Sequence, residues 1–426
     1  MVPSAARPLS ARGKRWSGAL AIAGAAVAAI LVAEAAVLLL RPRGEAIEPL
    51  SLAATDYFEP QVIERAEDYR DGQRLLGLGS MALSGAVLVI LALGRPRSAQ
   101  RALERLGRRP VLGAAAAGAA LSVVVAVVGL PLSAIAHERA VDAGLSTQGF
   151  WAWLADSGKA IGIAALLTGA GAAILIALIR RFPRGWWALA SAGVVGWAIV
   201  SQALAPVVLS PLFNDFERLP PGPSREVVIE LAERAGVDVG EVYEVDASRR
   251  STALNAYVSG LGPTKRVVVY DNLLASVERP ALRSVLAHEL AHAKNQDIWR
   301  GIAFVAIAAP LGMLVVGLAG TALARRGGAP PDAPAALPAY GVAIGAVSLV
   351  IGVAGAQLSR AVEAEADAFA LRLTDDPAAL VDLQTDLAER NLSDPDPPGW
   401  SQALFGTHPT TIERIGAAEA YGRGQR

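Results

Sequence analysis

Seven apolar segments, each about 20 residues long, determine what this 426-residue chain can fold into. A helix needs about 20 consecutive apolar residues to cross the hydrocarbon core of a bilayer, so each segment is long enough to span a membrane. The first is longer than the apolar core of a signal peptide, about 7–15 residues, and we predict a retained helix. The segments are Gly18–Leu40, Leu75–Gly94, Val111–Ala136, Lys159–Ile179, Trp186–Ala205, Ile302–Ala324 and Leu337–Leu358.

Composition narrows the chemistry that such a membrane protein can perform. Hydrophobic residues make up 53% of the chain and charged residues 18%, against about 25% charged in ordinary soluble domains. The 39 basic and 39 acidic residues balance, so we expect a lipid bilayer around the chain and no nucleic-acid partner. The absence of cysteine excludes thiolate nucleophiles, iron–sulfur clusters and Cys-ligated zinc. Four histidines are present, at positions 137, 288, 292 and 408.

Two polar regions, residues 206–300 and 359–426, have the pattern of a small folded domain. Short β-like runs occur in the first region, and helical patterns occur in both. We therefore predict a mainly α fold, a polytopic membrane protein with seven transmembrane helices and a domain that contains a small β-sheet. The predicted strands are Glu241–Val245, Leu254–Val258 and Arg266–Tyr270, and the predicted helices are Ser224–Ala235 with Ser224 as its cap, Pro280–Asn295, Ser359–Leu373 and Thr410–Tyr421. Pro206 and Pro310 are positions where the fifth and sixth spans end or kink.

The motif His288-Glu289-Leu290-Ala291-His292 lies on the predicted helix before the sixth span. Residues four apart on a helix lie about 40° apart around its axis, so both imidazoles face one way and can share a metal ion. Glu289 sits beside them, where a carboxylate can act as general base on water. The pattern predicts a metal-dependent hydrolase; the alternative is two surface histidines on a helix.

A third ligand must come from elsewhere, because a catalytic zinc ion has three protein ligands and one open position. Glu363 and Asp367 are four residues apart and line one face of the helix after the seventh span. Glu365 lies about 160° from Glu363 around that helix and is the poorer candidate. Spacing alone leaves two interpretations open, a ligand-bearing helix and an amphipathic helix with a solvated acidic face.

Position along the chain brings the two motifs to one side of the membrane. His292 precedes the sixth span by about nine residues, and Glu363 follows the seventh by about five. Because these spans are consecutive, the start of one and the end of the other lie at the same face. At 1.5 Å per residue the metal lies within about 15 Å of the membrane boundary. We therefore expect a peptide or a membrane-tethered protein as substrate.

These motifs resemble the type I CAAX prenyl proteases, which are integral-membrane zinc metallopeptidases of the gluzincin type with bacterial members. The resemblance covers most of the chain. Besides the histidine motif it rests on the segment Glu138 to Lys159, on Asn255-Ala256-Tyr257, Val269-Tyr270-Asp271 and Asp297, on Ser359-Arg360-x-x-Glu363-x-x-Ala366-Asp367, and on His408-Pro409 followed by Glu413-Arg414.

The resemblance implies a zinc metalloendopeptidase with a zincin-like protease domain and one Zn²⁺ per chain. It implies that His288, His292 and Glu363 bind the metal and that Glu289 is the general base. Asp297, five residues after the second histidine, belongs to the resemblance or is an ordinary acid at a helix end.

Further residues receive roles from the same resemblance. Asp367 is implied as a catalytic residue that orients a zinc-site histidine or donates a proton. Asn255 and Ala256 are implied to lie on an edge strand that pairs with the substrate backbone. His408 and Arg414 are implied to bind the substrate carbonyl or to support the site, and a loop histidine packed on the fold is the alternative for His408. The fourth histidine, at the end of the third span, is expected to be interfacial.

The predicted organisation has four parts. Residues 1–205 form an amino-terminal membrane region with five transmembrane helices. Residues 206–300 form the first part of the zinc protease domain, with the histidine motif. Residues 301–358 hold transmembrane helices six and seven, and residues 359–426 form the second part of the protease domain, with the glutamate-ligand helix and the carboxy-terminal segment.

Two departures from the family pattern bear on the substrate groove and leave the ligands intact. Thr410 follows Pro409 where the family has a second proline, and Ala291 precedes the second histidine where the family often has glycine. Two alternatives to the main hypothesis remain. One is an HtpX-like membrane quality-control protease, which typically has fewer spans. The other is a non-catalytic membrane scaffold or transporter with a structural zinc ion, against which the intact Glu289 argues.

Charge bias predicts a multi-pass cell-membrane protein with a cytoplasmic amino terminus. Basic residues before the first span, six arginines within Arg95–Arg109 and three after the fourth span mark one side. With seven spans, the metal face then lies outside the cytoplasm. The resemblance to the eukaryotic family suggests a cytosolic metal face instead. The basic residues before the first span are Arg7, Arg12, Lys14 and Arg15.

Overall fold

The computed structural model describes residues 11–44, 46–94 and 96–424. Arg7 and Arg95, which enter the predicted charge bias, lie outside these residues. In chain order the helices are α1 (Ala11–Leu40), α2 (Pro60–Val89), α3 (Arg97–Leu106), α4 (Pro110–Asp142), α5 (Phe150–Arg181), α6 (Trp186–Leu204), α7 (Pro223–Ala235), α8 (Asp271–Ser276), α9 (Arg279–Lys294), α10 (Asp297–Arg326), α11 (Leu337–Thr374), α12 (Pro377–Arg390), α13 (Gly399–Phe405) and α14 (Thr411–Gly422).

Helices α1, α2, α4, α5, α6, α10 and α11 are long and apolar enough to cross a membrane. This confirms the seven predicted spans. Helix α11 has 38 residues and continues beyond the apolar part of its span into the polar domain. The ends of several spans contact the polar domain: Arg70 of α2 bonds to Leu392, the connection after α4 bonds to Ser251, and Pro206 after α6 bonds to Arg266.

The two prolines that were expected to end or kink spans lie within continuous helical structure. Helix α10 runs through Pro310 to Arg326. After α6, a π turn (Ala205–Leu209) and a 3-10 turn (Ser210–Leu212) extend the fifth span to Leu212. Local π and 3-10 turns re-satisfy backbone groups that a proline frees. The carbonyl of Pro206 also accepts a hydrogen bond from the buried guanidinium of Arg266.

A four-stranded mixed sheet lies in the polar domain, in the order β1-β2-β4-β3. Strands β2 and β4 pair in parallel, and the two outer pairs are antiparallel. The predicted bounds of β2 and β4 are correct, whereas β3 begins two residues later than predicted and β1 was not predicted. Strand β3 is last in the strand order and therefore forms an edge of the sheet. The strands are β1 (Phe216–Arg218), β2 (Glu241–Val245), β3 (Ala256–Ser259) and β4 (Arg266–Tyr270).

Helices α7, α9, α12 and α14 pack with the sheet and the end of α11 around one apolar core. The predicted helix at Ser224 begins one residue earlier, at Pro223, and Gly222 holds the capping position because proline suits the first turn of a helix. The connection between α1 and α2 also joins this domain, since the Leu50 N–H donates to the Gly416 carbonyl at 3.1 Å. The polar domain is thus assembled from both ends of the chain.

Candidate metal centre

Helix α9 presents the two histidines of the motif on one side. Its opposite face is held in the core by Leu282, Leu286 and Leu290, which fixes the direction in which the imidazoles point. The Nε2 atoms of His288 and His292 lie 3.3 Å apart. The spacing of four residues has therefore produced the convergence that the sequence predicted.

Glu363 comes from α11 to complete a group of three potential metal ligands. Its Oε2 lies 3.1 Å from His288 Nε2, and its Oε1 lies 3.6 Å from His292 Nε2. One ligand atom from each residue falls within a mutual distance of 4.8 Å. Ligand atoms about 2.0–2.2 Å from a tetrahedral zinc ion lie about 3.3–3.6 Å from each other. The observed separations of 3.1, 3.3 and 3.6 Å lie within or close to this range, with a different glutamate oxygen toward each histidine. The donor set is thus suited to a zinc ion with one open position.

A carboxylate holds the second nitrogen of each histidine. Asp367 Oδ1 lies 2.9 Å from His288 Nδ1, and Asp297 Oδ2 lies 2.9 Å from His292 Nδ1. Such partners fix the tautomer and the ring orientation of histidine ligands. Asp297 reaches its histidine because Gln296, with φ of 56°, turns the chain between α9 and α10.

Arg414 on α14 supports the buried Asp367. Its Nε donates to Asp367 Oδ2 at 2.8 Å and its Nη2 to Oδ1 at 2.6 Å, a bidentate pair. Burial by itself lowers the pKa of His288, but hydrogen bonds with Asp367 and Glu363 outweigh it and raise this pKa to about 10. The two carboxylates therefore make the centre favour positive charge, whether a proton or a metal ion supplies it.

Glu289 lies beside the ligands, and burial raises the pKa of its carboxyl group. Coulombic attraction from the two histidines opposes this shift. The N–H of Val258, on edge strand β3, donates a hydrogen bond to the same carboxyl group. A carboxylate with a raised pKa at such a position is suited to accept a proton in catalysis.

Strand β3 turns part of its backbone away from the sheet. The Tyr270 N–H donates to the Asn255 carbonyl at 3.1 Å, while Ala256 pairs with Val269 and Val258 with Val267. Hydrogen-bonded and non-bonded pairs alternate in an antiparallel ladder, so Ala256 and Val258 direct their N–H and C=O groups to the open edge. The carbonyl of Asn255 is used within the sheet.

The remaining predicted positions divide between the centre and its surroundings. The Nε2 atom of His408 lies 3.4 Å from Glu363 Oε2, although its side chain is 55% exposed. Glu365 lies outside the ligand group and contacts Asn295 and Arg300 instead. His137 stacks on Trp153 with ring centroids 5.0 Å apart, away from the metal ligands.

Asp297 contacts a histidine of the centre, and its role is one that sequence reasoning left open. The signal was its distance of five residues from His292, but a turn of unknown shape separates the two. The same reasoning did not find Arg300, whose Nη1 donates to Asp297 Oδ1 at 2.7 Å and holds that carboxylate in place.

Two family profiles match the chain. The profile of peptidase family M48 matches residues 223–421, which contain α9, the end of α11 and most of α14. The chain belongs to peptidase family M48. A second profile, the CAAX prenyl protease N-terminal region with five membrane helices, matches residues 47–215 of this M48 peptidase.

Individual proteins show the same likeness. The uncharacterized metalloprotease YhfN of Bacillus subtilis (strain 168) is 28% identical over 389 residues, 88% of this chain and 89% of YhfN. The CAAX prenyl protease 1 homolog of Oryza sativa subsp. japonica is 32% identical over 301 residues, 65% of this chain and 66% of the rice protein. The crystal structure of S. mikatae Ste24p matches with a TM-score of 0.76 at 20% identity, over 94% of this chain and 98% of that chain, which shows a shared fold.

This M48 peptidase is therefore a multi-span membrane metalloprotease that hydrolyses peptide or protein substrates at a lipid bilayer. The predicted family, fold class and enzyme class are confirmed. A metal ion is implied by the family, and the His-His-Glu group is suited to hold it.

Proposed function

We propose that this protein is a zinc metalloendopeptidase that binds one Zn²⁺ through His288, His292 and Glu363. The observation that carries the proposal is the triangle of ligand atoms with Glu289 beside it. Two imidazoles and one carboxylate form a catalytic zinc donor set, because they leave a coordination position open. Zinc bound there would supply Lewis-acid polarisation of water and of the scissile carbonyl.

The protein's own groups then carry the proton transfers. Glu289 accepts a proton from the attacking water and returns it to the leaving amine. Burial raises the pKa of Glu289 toward the operating pH, and a general base that must both accept and return a proton works best there. Asp367 orients His288 and is itself held by Arg414, which supports a positioning role for both.

The substrate backbone lies along strand β3 in this proposal. The substrate adds a further strand to the sheet by bonding to the open main-chain groups of Ala256, and Asn255 lies at the start of that edge. His408 is assigned to the carbonyl oxygen of the scissile bond, because its Nε2 atom points toward Glu363 and its side chain remains accessible.

Membrane-associated or lipidated peptides and proteins are the proposed substrates. The ligand helix α11 is continuous with a membrane span, so the centre lies close to the bilayer. The name CAAX prenyl protease of the rice relative supports a test with an isoprenylated peptide. The seven spans favour this function over that of an HtpX-like quality-control protease. A structural zinc site would not require Glu289.

We further propose the four-part organisation described above, with the amino terminus in the cytoplasm and the metal face outside. The gap between the two matched profiles, at residues 216–222, supports a boundary near the end of the fifth span. The arginines of α3 and of the end of α5 support the orientation. A reporter fused after Arg426 that is active only in the cytoplasm would contradict it.

The decisive experiment uses the full chain purified in detergent. Cleavage of a farnesylated peptide and of its unlipidated twin is measured alongside zinc content, with Glu289→Gln as the matched variant. We expect one zinc per chain in both proteins and cleavage that is about 10²–10⁴-fold slower in the variant. The ratio of rates for the two peptides reports whether lipid is recognised. Equal activity in Glu289→Gln, or purification without zinc, would refute the proposal.

A further inference from the structure

The connection between α4 and α5, residues 143–149, is fastened to the segment that leads into strand β3. We call this connection the α4–α5 loop. It joins two membrane helices, whereas residues 248–252 belong to the protease domain. The Thr147 N–H donates to the Arg250 carbonyl, and the Thr252 N–H donates to the Leu145 carbonyl, each at 3.2 Å. An isolated antiparallel bridge thus connects the two regions.

Four hydroxyl groups reinforce this bridge. Each donates to a main-chain carbonyl on the opposite segment, so several neighbouring residues of the α4–α5 loop bond to the segment before β3. The bonds run from Ser146 to Arg250 at 3.3 Å, from Thr147 to Ser248 at 2.7 Å, from Ser251 to Leu145 at 3.1 Å and from Thr252 to Gly144 at 2.9 Å.

An ion pair anchors the same segment to the start of α5. Asp156 Oδ2 accepts from Arg250 Nε at 3.0 Å and from Nη2 at 2.9 Å, and both side chains are largely covered. Asp156 also accepts from Gln148 at 2.6 Å and from Lys159 at 2.9 Å. A partly buried carboxylate bonded to three donor side chains is held in a defined position, because charge-assisted hydrogen bonds are short and directional.

Only three residues separate this attachment from the edge strand. Residues 253–255 connect Thr252 to Ala256, where β3 begins. As an edge strand, β3 is bonded by β4 on one side alone, so its exact position also depends on how the preceding segment is held. The position of β3 also matters for the centre, because the Val258 N–H on this strand donates a hydrogen bond to Glu289.

We infer that the α4–α5 loop is a clasp through which membrane helix α5 sets the position of β3 for substrate pairing. Asp156 and Arg250 are positioning residues in this arrangement. The inference rests on the proposed function, since it takes β3 as the strand that receives the substrate backbone. It also gives the amino-terminal membrane helices a part in specificity beyond anchoring the protease.

The test compares two ion pairs on the same helix. Asp156→Asn removes the charge near the start of α5, and Asp332→Asn removes the partner of Arg180 at the opposite end, where the pair is 2.9 Å long and exposed. We expect Asp156→Asn to raise KM for the unlipidated peptide about tenfold, the effect of losing one hydrogen-bonded contact, with kcat changed less than about twofold. Asp332→Asn should change neither, as for most surface pairs. A fall in kcat alone, or equal effects of both variants, would overturn the inference.

Coupling between the partners gives a second criterion. If Asp156 and Arg250 act as a unit, Arg250→Gln raises KM to a similar extent and the double variant raises it no further. Additive increases in KM would mean that the two residues act separately, and would overturn the clasp. Thr147→Val, which removes one hydroxyl bond and leaves no buried charge, should raise KM in the same direction by a smaller factor.

Hydrogen exchange tests the clasp without reference to catalysis. The amides of Tyr257 and Ser259 bond to β4, and a peptide covering residues 255–259 reports their protection. We expect faster exchange of this peptide in Asp156→Asn with zinc content unchanged, and no change in Asp332→Asn. Unaltered exchange would refute the clasp even if the peptide substrates were cleaved. Failure of the wild type to cleave any peptide would instead count against the proposed function.

Discussion

The two halves of the metal centre are held by different kinds of helix. Helix α9 has 16 residues, lies in the protease domain and supplies both histidines within one turn. Helix α11 has 38 residues, continues from a membrane span and supplies Glu363, 75 residues from His288. The first half is set by helix geometry alone, whereas the second depends on how a membrane helix packs against the protease domain.

The supporting carboxylates repeat this contrast. Asp297 holds His292 across a single turn of five residues. Asp367 holds His288 from 79 residues away and needs Arg414, on a third helix, to compensate its buried charge. The remote half therefore depends on more elements than the local half, and substitutions can separate the two.

Removing a ligand from either half should have the largest effect. Glu363→Ala and His292→Ala are each expected to abolish detectable peptidase activity. Each should also weaken zinc binding by more than about 100-fold, the upper limit for loss of a residue that only supports a ligand. Zinc content by atomic absorption and peptide cleavage measure the two effects. Glu365→Gln, two residues from the ligand and outside the ligand group, is the control and should keep its zinc. Retained zinc in Glu363→Ala would show that α11 does not contribute to the centre.

Glu289→Gln should separate chemistry from metal binding within the local half. We expect kcat to fall by about 10²–10⁴-fold, the usual contribution of a general base, with zinc bound at one equivalent. Single-turnover cleavage and zinc analysis on the same sample measure this. A loss of zinc in this variant would assign Glu289 to the structure of the centre and not to proton transfer.

The two supporting carboxylates offer a matched pair of substitutions. Asp367→Asn and Asp297→Asn are each expected to weaken zinc affinity or activity by about 10–100-fold. We expect the larger effect for Asp367, because it is buried and its loss also leaves Arg414 without its partner. Competition with a zinc chelator ranks the two affinities. The reverse ranking would show that the local half governs the metal.

The smallest expected effect concerns Arg414, which acts on the metal only through Asp367. Arg414→Gln should reduce zinc affinity in the wild-type background and have little further effect in the Asp367→Asn background. The coupling between neighbouring residues of this kind is about 0.5–3 kcal/mol. Chelator competition on the four proteins of the cycle measures it. Independent, additive losses would mean that Arg414 affects zinc binding by a route other than Asp367.

Elements were predicted well where their pattern is local. The strands Glu241–Val245 and Arg266–Tyr270 have the predicted bounds, because residues of high β propensity, valine and tyrosine, are concentrated there between turn signals. Strand β1 has three residues and forms only by pairing with β2, so no local pattern marks it. Helix α12 was not predicted, although Asp376 caps it by accepting from the Ala379 N–H and Pro377 occupies its first turn.

The sequence by itself determined the seven spans, the shared face of His288 and His292, and the presence of both motifs on one side of the membrane. Each follows from a short-range rule, either the length of an apolar run or the angle between residues four apart. The tertiary structure decided the contacts between distant residues. The approach of Glu363 to the histidines joins two helices, and the ion pair between Arg250 and Asp156 joins the segment before β3 to α5. The relative placement of these elements is set by packing and by compensation of buried charge, and no local pattern encodes either contact.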